Sequence, residues 1–224
     1  GKEIIDYVNA NNLNAIVLAG RPYHIDPEVN HGIPELIEGM KIPVISEDAV
    51  AYNIEDVDTK VRVLDQWSYH ARLYRAAEYV ADNPNLQLIQ LNSFGCGLDA
   101  VTTDQVQDLL EAHGKIYTLL KIDEVSNLGA IKIRIRSLLQ ALNQKKMEGI
   151  VFKEDLDRLD YSTPEFTKQM VDEGYTILAP QMAREHFRIL APVFHHYGMN
   201  IEFLDSVNDK VLDQGLKYVN NDSC

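Results

Sequence analysis

Three short apolar runs, Asn14–Gly20, Leu86–Leu91 and Lys115–Lys121, are each separated from the next by segments with helical periodicity. A run of this length, bounded by turn residues, reads as a buried strand. Lys41 to Ile45 is a shorter candidate, bounded by Pro43 and by Ser46-Glu47-Asp48. The intervening segments carry amphipathic stripes: Ile4, Ile5 and Val8 within Lys2 to Asn11, then Val63, Trp67, Ala71, Tyr74 and Ala77. Asn83-Pro84-Asn85 ends the second stripe, because proline cannot continue the hydrogen-bond ladder. Thr102 followed by Gln105 fits a capping box for the next helix, and Gly114 fits its stop. Leu128, Ile131, Ile135, Leu138 and Leu142 mark a further long helix, for which Ser126 is the expected cap. Strand and helix alternating in this way predict a doubly wound α/β domain, Rossmann-like or flavodoxin-like. Its sheet should be parallel, covered on both faces and linked by right-handed crossovers.

The pattern restarts after the short linker Asn143-Gln144-Lys145-Lys146. Glu148 to Phe152 reads as a strand, Thr163-Pro164 as the start of a helix closed by Gly174, and Tyr175 to Ala179 as another strand. Gln181 to Tyr197 reads as a helix interrupted at Pro192, and Asn200 to Leu204 as a last strand. The expected division is residues 1–146 as the first domain and 147–224 as a second, smaller α/β lobe. The chain opens on Gly1-Lys2-Glu3 and closes on Asn221-Asp222-Ser223-Cys224, so both ends read as cuts in a longer polypeptide.

Composition narrows the setting. With 46% hydrophobic and 25% charged residues, the 224-residue chain has an ordinary globular make-up. No apolar run approaches the ~20 residues of a membrane span, and nothing resembles a signal peptide. Two cysteines do not make a disulfide framework, which points to a reducing, cytoplasmic setting. A net charge of −13 argues against nucleic acid, whose phosphates need clustered Lys and Arg.

The polar residues with chemical potential gather at expected strand ends. Asn92-Ser93-Phe94-Gly95-Cys96-Gly97 follows the Leu86–Leu91 run, placing Cys96 between two glycines at a strand-to-helix turn. Ligands of open α/β sheets bind at that edge. A thiolate there reaches a metal or substrate; equally, a small buried cysteine fills a tight turn. Arg21, Tyr23 and His24 follow the first strand directly. The guanidinium could clamp a phosphate or carboxylate; alternatively Arg21 pairs with a neighbouring carboxylate and Tyr23 packs over the sheet edge. Lys121 closes the Lys115–Lys121 run on the same edge, where a solvated loop is an equal reading. Arg21, Tyr23, His24, Asn92, Ser93 and Lys121 are thus the substrate-binding candidates, and no residue has a catalytic assignment. His24 and His31 match no zinc spacing with Cys96, and adjacent His195 and His196 point about 100° apart on a helix. No Walker loop and no dinucleotide fingerprint is present.

Gly20-Arg21-Pro22-Tyr23-His24, the Asn92–Ala100 run, Leu120-Lys121-Ile122-Asp123-Glu124 and Asn220–Cys224 together resemble one family. It is the large bacterial proteins that join an activator of 2-hydroxyacyl-CoA dehydratase to a dehydratase-like region. The chain resembles that dehydratase-like region over nearly its whole length. The resemblance implies an attached ATPase that injects electrons, and an acyl-CoA or another hard-to-reduce small molecule as substrate. It also implies an iron–sulfur cluster held by cysteines, at the matching positions Cys96 and Cys224. A cubane normally takes about four thiolates, so the cluster is expected in the longer parent and not in this chain alone. The alternative class is a non-catalytic module that supports the ATPase part.

Overall fold

The computed structural model describes residues 1–53, 61–62, 65–93, 97–122, 127–149, 154–162, 165–180 and 182–218. These form two compact units, Gly1–Tyr161 and Ser162–Asn220.

The first unit is built on four parallel strands, β1 (Ala15–Ala19), β2 (Val44–Ser46), β3 (Leu86–Asn92) and β4 (Thr118–Lys121), in the order β2-β1-β3-β4. All seven residues of β3 are buried, as a central strand covered on both faces requires. On one face, α1 (Lys2–Ala10), α5 (Ser68–Asp82) and α6 (Gly97–Ala112) pack Val8, Leu73, Ala77, Val106 and Leu109 against Val17 and Leu88. On the other, α3 (Ile33–Glu38) and α7 (Leu128–Glu148) pack Ile33, Ile37, Ile131 and Ile135 against Ile16, Ile89 and Leu120. Each such fully buried aliphatic side chain contributes roughly 1.5–3 kcal/mol. The short helices α2 (Pro27–Asn30) and α4 (Asp48–Ala51) complete the loops after β1 and β2. A doubly wound α/β fold with two covered faces is therefore present.

Several boundaries differ from the sequence reading, for local reasons. Helix α6 starts at Gly97, not at Thr102. The Thr102 hydroxyl donates back to the Leu98 carbonyl, and Gln105 accepts from the Arg62 amide, so neither side chain caps a helix. The last strand of this sheet keeps only Thr118–Lys121 of the apolar run. Helix α7 is capped by Asn127, whose side chain accepts from the Gly129 amide; Ser126 lies outside the described residues. Glu148 ends α7 and Gly149 follows it with φ 61°, so no strand begins at Glu148. Residues 150–153 and the Thr163-Pro164 helix start lie outside the described residues.

Residues 154–161 lie on α6 within the first unit. Arg158 meets Asp108 and Glu111, and the Tyr161 hydroxyl donates to Asp108. Arg62 reaches the same carboxylate at 2.7 Å. The second unit pairs β5 (Thr176–Pro180) with β6 (Asn200–Leu204) in parallel, joined by α9 (Arg184–His196). Phe187 of α9 stacks on Phe203 of β6 with centroids 4.8 Å apart. Helix α8 (Lys168–Asp172) is capped by Thr167, and α10 (Asp209–Tyr218) follows β6. Helix α9 runs through Pro192 without a break. Among the described residues no helix is long and apolar enough to cross a membrane.

Candidate functional site at the strand ends

The strand order reverses direction between β1 and β3, and in open α/β sheets that switch point opens the crevice where ligands bind. The register pairs Ala19 with Gln90 and Asn92 with Lys121, so the segment after β1 faces the end of β3. Gly20 follows β1 because a Cβ there would collide with the His24 ring. That close approach lets a 3-10 turn, Pro22–Ile25, fold back over the strand end.

His24 is the hub of this turn and is only 3% exposed. The Arg21 amide donates to its Nδ1 at 2.9 Å, which assigns the proton to Nε2, and Nε2 lies 3.1 Å from the Ser93 hydroxyl. The Tyr23 hydroxyl shares a bond with the same Ser93 oxygen at 3.1 Å. Asn30 anchors the loop from below, donating to the His24 and Ile25 carbonyls and accepting from the Gly32 amide. Burial lowers the His24 pKa to about 4, with the Asp99 carboxylate opposing and Arg21 assisting. The ring is neutral at physiological pH.

The Arg21 guanidinium reaches across to Asp99 in the first turn of α6. Its Nη2 lies 2.8 Å and its Nε 2.9 Å from Oδ1, and Nε also lies 3.2 Å from Oδ2. This forked, charge-assisted pairing fixes the start of α6 against the β1 loop. His70, in the first turn of α5, closes the cluster with Nε2 3.5 Å from Asp99 Oδ1. At that distance the contact is long and weak, and Nδ1 on the other side of the ring meets no partner. Burial and the Arg21 charge lower the His70 pKa.

The structure thus joins Arg21, Tyr23, His24 and Ser93 in one cluster, with Asn92 at the adjoining strand end. Lys121 stands beside Asn92 in the register, but its side chain is exposed. Cys96 and Cys224 lie outside the described residues. Among the described residues no three His, Cys, Asp or Glu side chains converge as metal ligands. Asp99 and His70 escaped the sequence reading. His70 carried a signal, because it falls at helical spacing from the buried Leu73, Tyr74 and Ala77.

Clefts open at both edges of the sheet. One of about 190 Å3 sits over the ends of β1 and β2, between Arg21, His24, Pro34 and Glu47. Glu47 pairs with Arg72 at 2.6 Å, and burial raises its pKa. A larger cleft of about 550 Å3 lies at the opposite, amino edge and is lined in part by Lys115 and Lys145. Those lysines serve the backbone: Lys115 donates to the Leu86 carbonyl and Lys145 to the Gly114 carbonyl.

Residues 1–50 match the family model described as a CoA enzyme activase uncharacterised domain. This segment supplies β1, the Gly20–His24 turn and β2. No curated protein and no solved structure matches the chain.

Proposed function

We propose that this chain is a module of a CoA enzyme activase-related redox system, resembling 2-hydroxyacyl-CoA dehydratase and its activator. The parent protein accepts electrons from an attached ATPase and acts on an acyl-CoA or another hard-to-reduce small molecule. Cys96 and Cys224 contribute to an iron–sulfur cluster that residues of the longer parent complete. Such a cluster supplies one-electron chemistry when bound. Arg21, Tyr23, His24, Asn92, Ser93 and Lys121 line the substrate side of the strand-end face.

One observation carries this reading. The activase-matched segment ends its first strand in a turn whose Arg21 and His24 are bonded to Asp99 and Ser93. Those two partners bracket Cys96 in the sequence. The matched segment and the residues on either side of Cys96 in the sequence, Ser93 and Asp99, therefore share one polar cluster at the strand ends.

A second reading, a non-catalytic support for the ATPase part, has its own observation. Arg21 pairs with Asp99, and both His24 nitrogens have partners within the cluster. Anaerobic reconstitution of the longer parent with iron and sulfide separates the two. The redox reading requires a brown protein whose cluster absorbance is lost in Cys96→Ala. A colourless parent, or an unchanged spectrum in that variant, selects the supporting role.

A further inference from the structure

We propose that the groove between α9 and β6 in the second unit receives an extended peptide segment, which adds to β6 as a third parallel strand and sets its terminal carboxylate against Arg188. The groove holds a cavity of about 300 Å3. Phe187, Ala191 and Pro192 of α9 form one wall and Phe203 of β6 the other. Arg184 and Arg188 stand at one end and His195 at the other, by their order along α9. No residue of β5 or α10 lines the cavity, so it runs along β6 on the side away from β5. On that side β6 has no neighbouring strand among the described residues.

The backbone of β6 supplies the template. A strand edge presents N–H and C=O groups to any chain that lies alongside it. His195 Nε2 lies 3.3 Å from the Ile201 carbonyl, which places that acceptor on the groove side of the strand. β5 is the poorer template, because it ends on Pro180, which has no N–H. A sheet of two strands is marginal by itself, and a third adds backbone bonds as well as apolar contact. Phe203 stacks on Phe187, so Phe203 and Ile201, two residues earlier, share the α9 side of β6. Side chains of the added strand at that level enter the apolar groove from its open flank, and the alternate ones stand beside Glu202 on the solvent side.

Direction and charge choose the occupant. β5 and β6 run parallel, and α9 returns between them. A third parallel strand therefore brings its carboxyl end to the end of β6, where Asp205 meets the amino end of the 13-residue α9. Arg184 is held there by Asp205 at 2.9 Å. Arg188 lies 3.4 Å from Glu185 and its side chain is 61% exposed, which leaves room for a second carboxylate. The lining carries two arginines against one aspartate, in a chain of net charge −13. A carboxylate beside Arg188 also lies near the positive end of the helix dipole. A second copy of this chain fits less well, because pairing through its own β6 brings no carboxyl terminus to Arg188.

The groove belongs to the second unit alone and owes nothing to the strand-end cluster or to iron and sulfide. Isotope-labelled chain is titrated with a peptide of five residues, the length of β6, in which valine and threonine alternate before a free leucine carboxylate. NMR follows the amides of Ile201 and Phe203 and the ring of Phe187, and saturable shifts at all three are expected. Amidating the peptide's end, or Arg188→Gln in the chain, should weaken binding about fivefold, the scale of an exposed ion pair. Replacing the central valine by proline should abolish binding, and acetyl-leucine, which has the carboxylate without the strand, should not saturate in the same range. Absence of saturable shifts overturns the proposal, as does equal binding of the amidated peptide, the proline peptide or acetyl-leucine, or an unchanged affinity in Arg188→Gln. A chain that sediments as a dimer, with β6 amides unmoved by peptide, would give the groove to a second copy instead.

Discussion

Arg21 and Asp99 are 78 residues apart in sequence and meet through a guanidinium nitrogen 2.8 Å from a carboxylate oxygen. The Asp99 side chain is 8% exposed and that of Arg21 24%, so the pair is more buried than a surface ion pair. Deleting the cation leaves a carboxylate without compensation in a low-dielectric setting. Arg21→Ala should cost about 2–3 kcal/mol, below the full buried-pair penalty because Arg21 keeps some solvent. Urea denaturation measures it; a loss under about 0.5 kcal/mol, the range of an exposed pair, would refute the claim.

Gly20→Ala tests the close approach behind the turn. The added Cβ would meet the His24 ring and push it out, breaking its bonds to the Arg21 amide and to Ser93. A destabilisation of about 2–3 kcal/mol is expected from overpacking with lost hydrogen bonds. The His24 ring signals in NMR should move with it, and an unmoved ring would contradict the geometry.

Acid should weaken the fold through His24. Its folded pKa of about 4 lies below the ordinary 6.5, so the unfolded chain binds the proton more readily. The contribution is complete above pH 6.5 and is lost as pH falls toward 4, by roughly 2–3 kcal/mol. His70 adds in the same direction. Denaturation midpoints from pH 7.5 to 4.5 should fall more steeply for the wild-type chain than for His24→Gln. Parallel slopes would remove His24 as the cause.

Asp108 holds Arg62, Arg158 and Tyr161 at one carboxylate. Asp108→Ala should cost about 1–2 kcal/mol, the scale of lost charge-assisted bonds in a partly exposed setting. It should also speed amide exchange in residues 154–161. Exchange unchanged in that segment would show that other contacts hold it.

The sheet was legible because burial on both faces leaves a plain mark: β1 is continuous apolar sequence ended by Gly20, and β3 carries Leu86, Leu88, Ile89 and Leu91. The edge holding Arg21, Tyr23, His24 and Ser93 followed from the strand ends alone. What tied them together was not legible. Nothing local to Asp99 says that its partner lies before β2, because ion pairs between distant segments leave no periodic trace. Thr102 looked like a cap because a hydroxyl bonding back to Leu98 and a capping hydroxyl have the same sequence context. His70 sat on the core stripe, where a polar residue reads as an imperfection of the helix until its neighbours are known.

The pairing of β1 with β3 carries a consequence for how the chain is made. β2 follows β1 closely, but the other long side of β1 waits for Leu86–Asn92. During synthesis, that open side stays bare until the third strand has left the ribosome, several seconds at ordinary elongation rates of about 5–20 residues per second. Over that interval an apolar strand offers its backbone to any passing partner. The nascent chain therefore exposes its most adhesive edge while β1 is half paired, and the arrival of Leu86–Asn92 is what closes it.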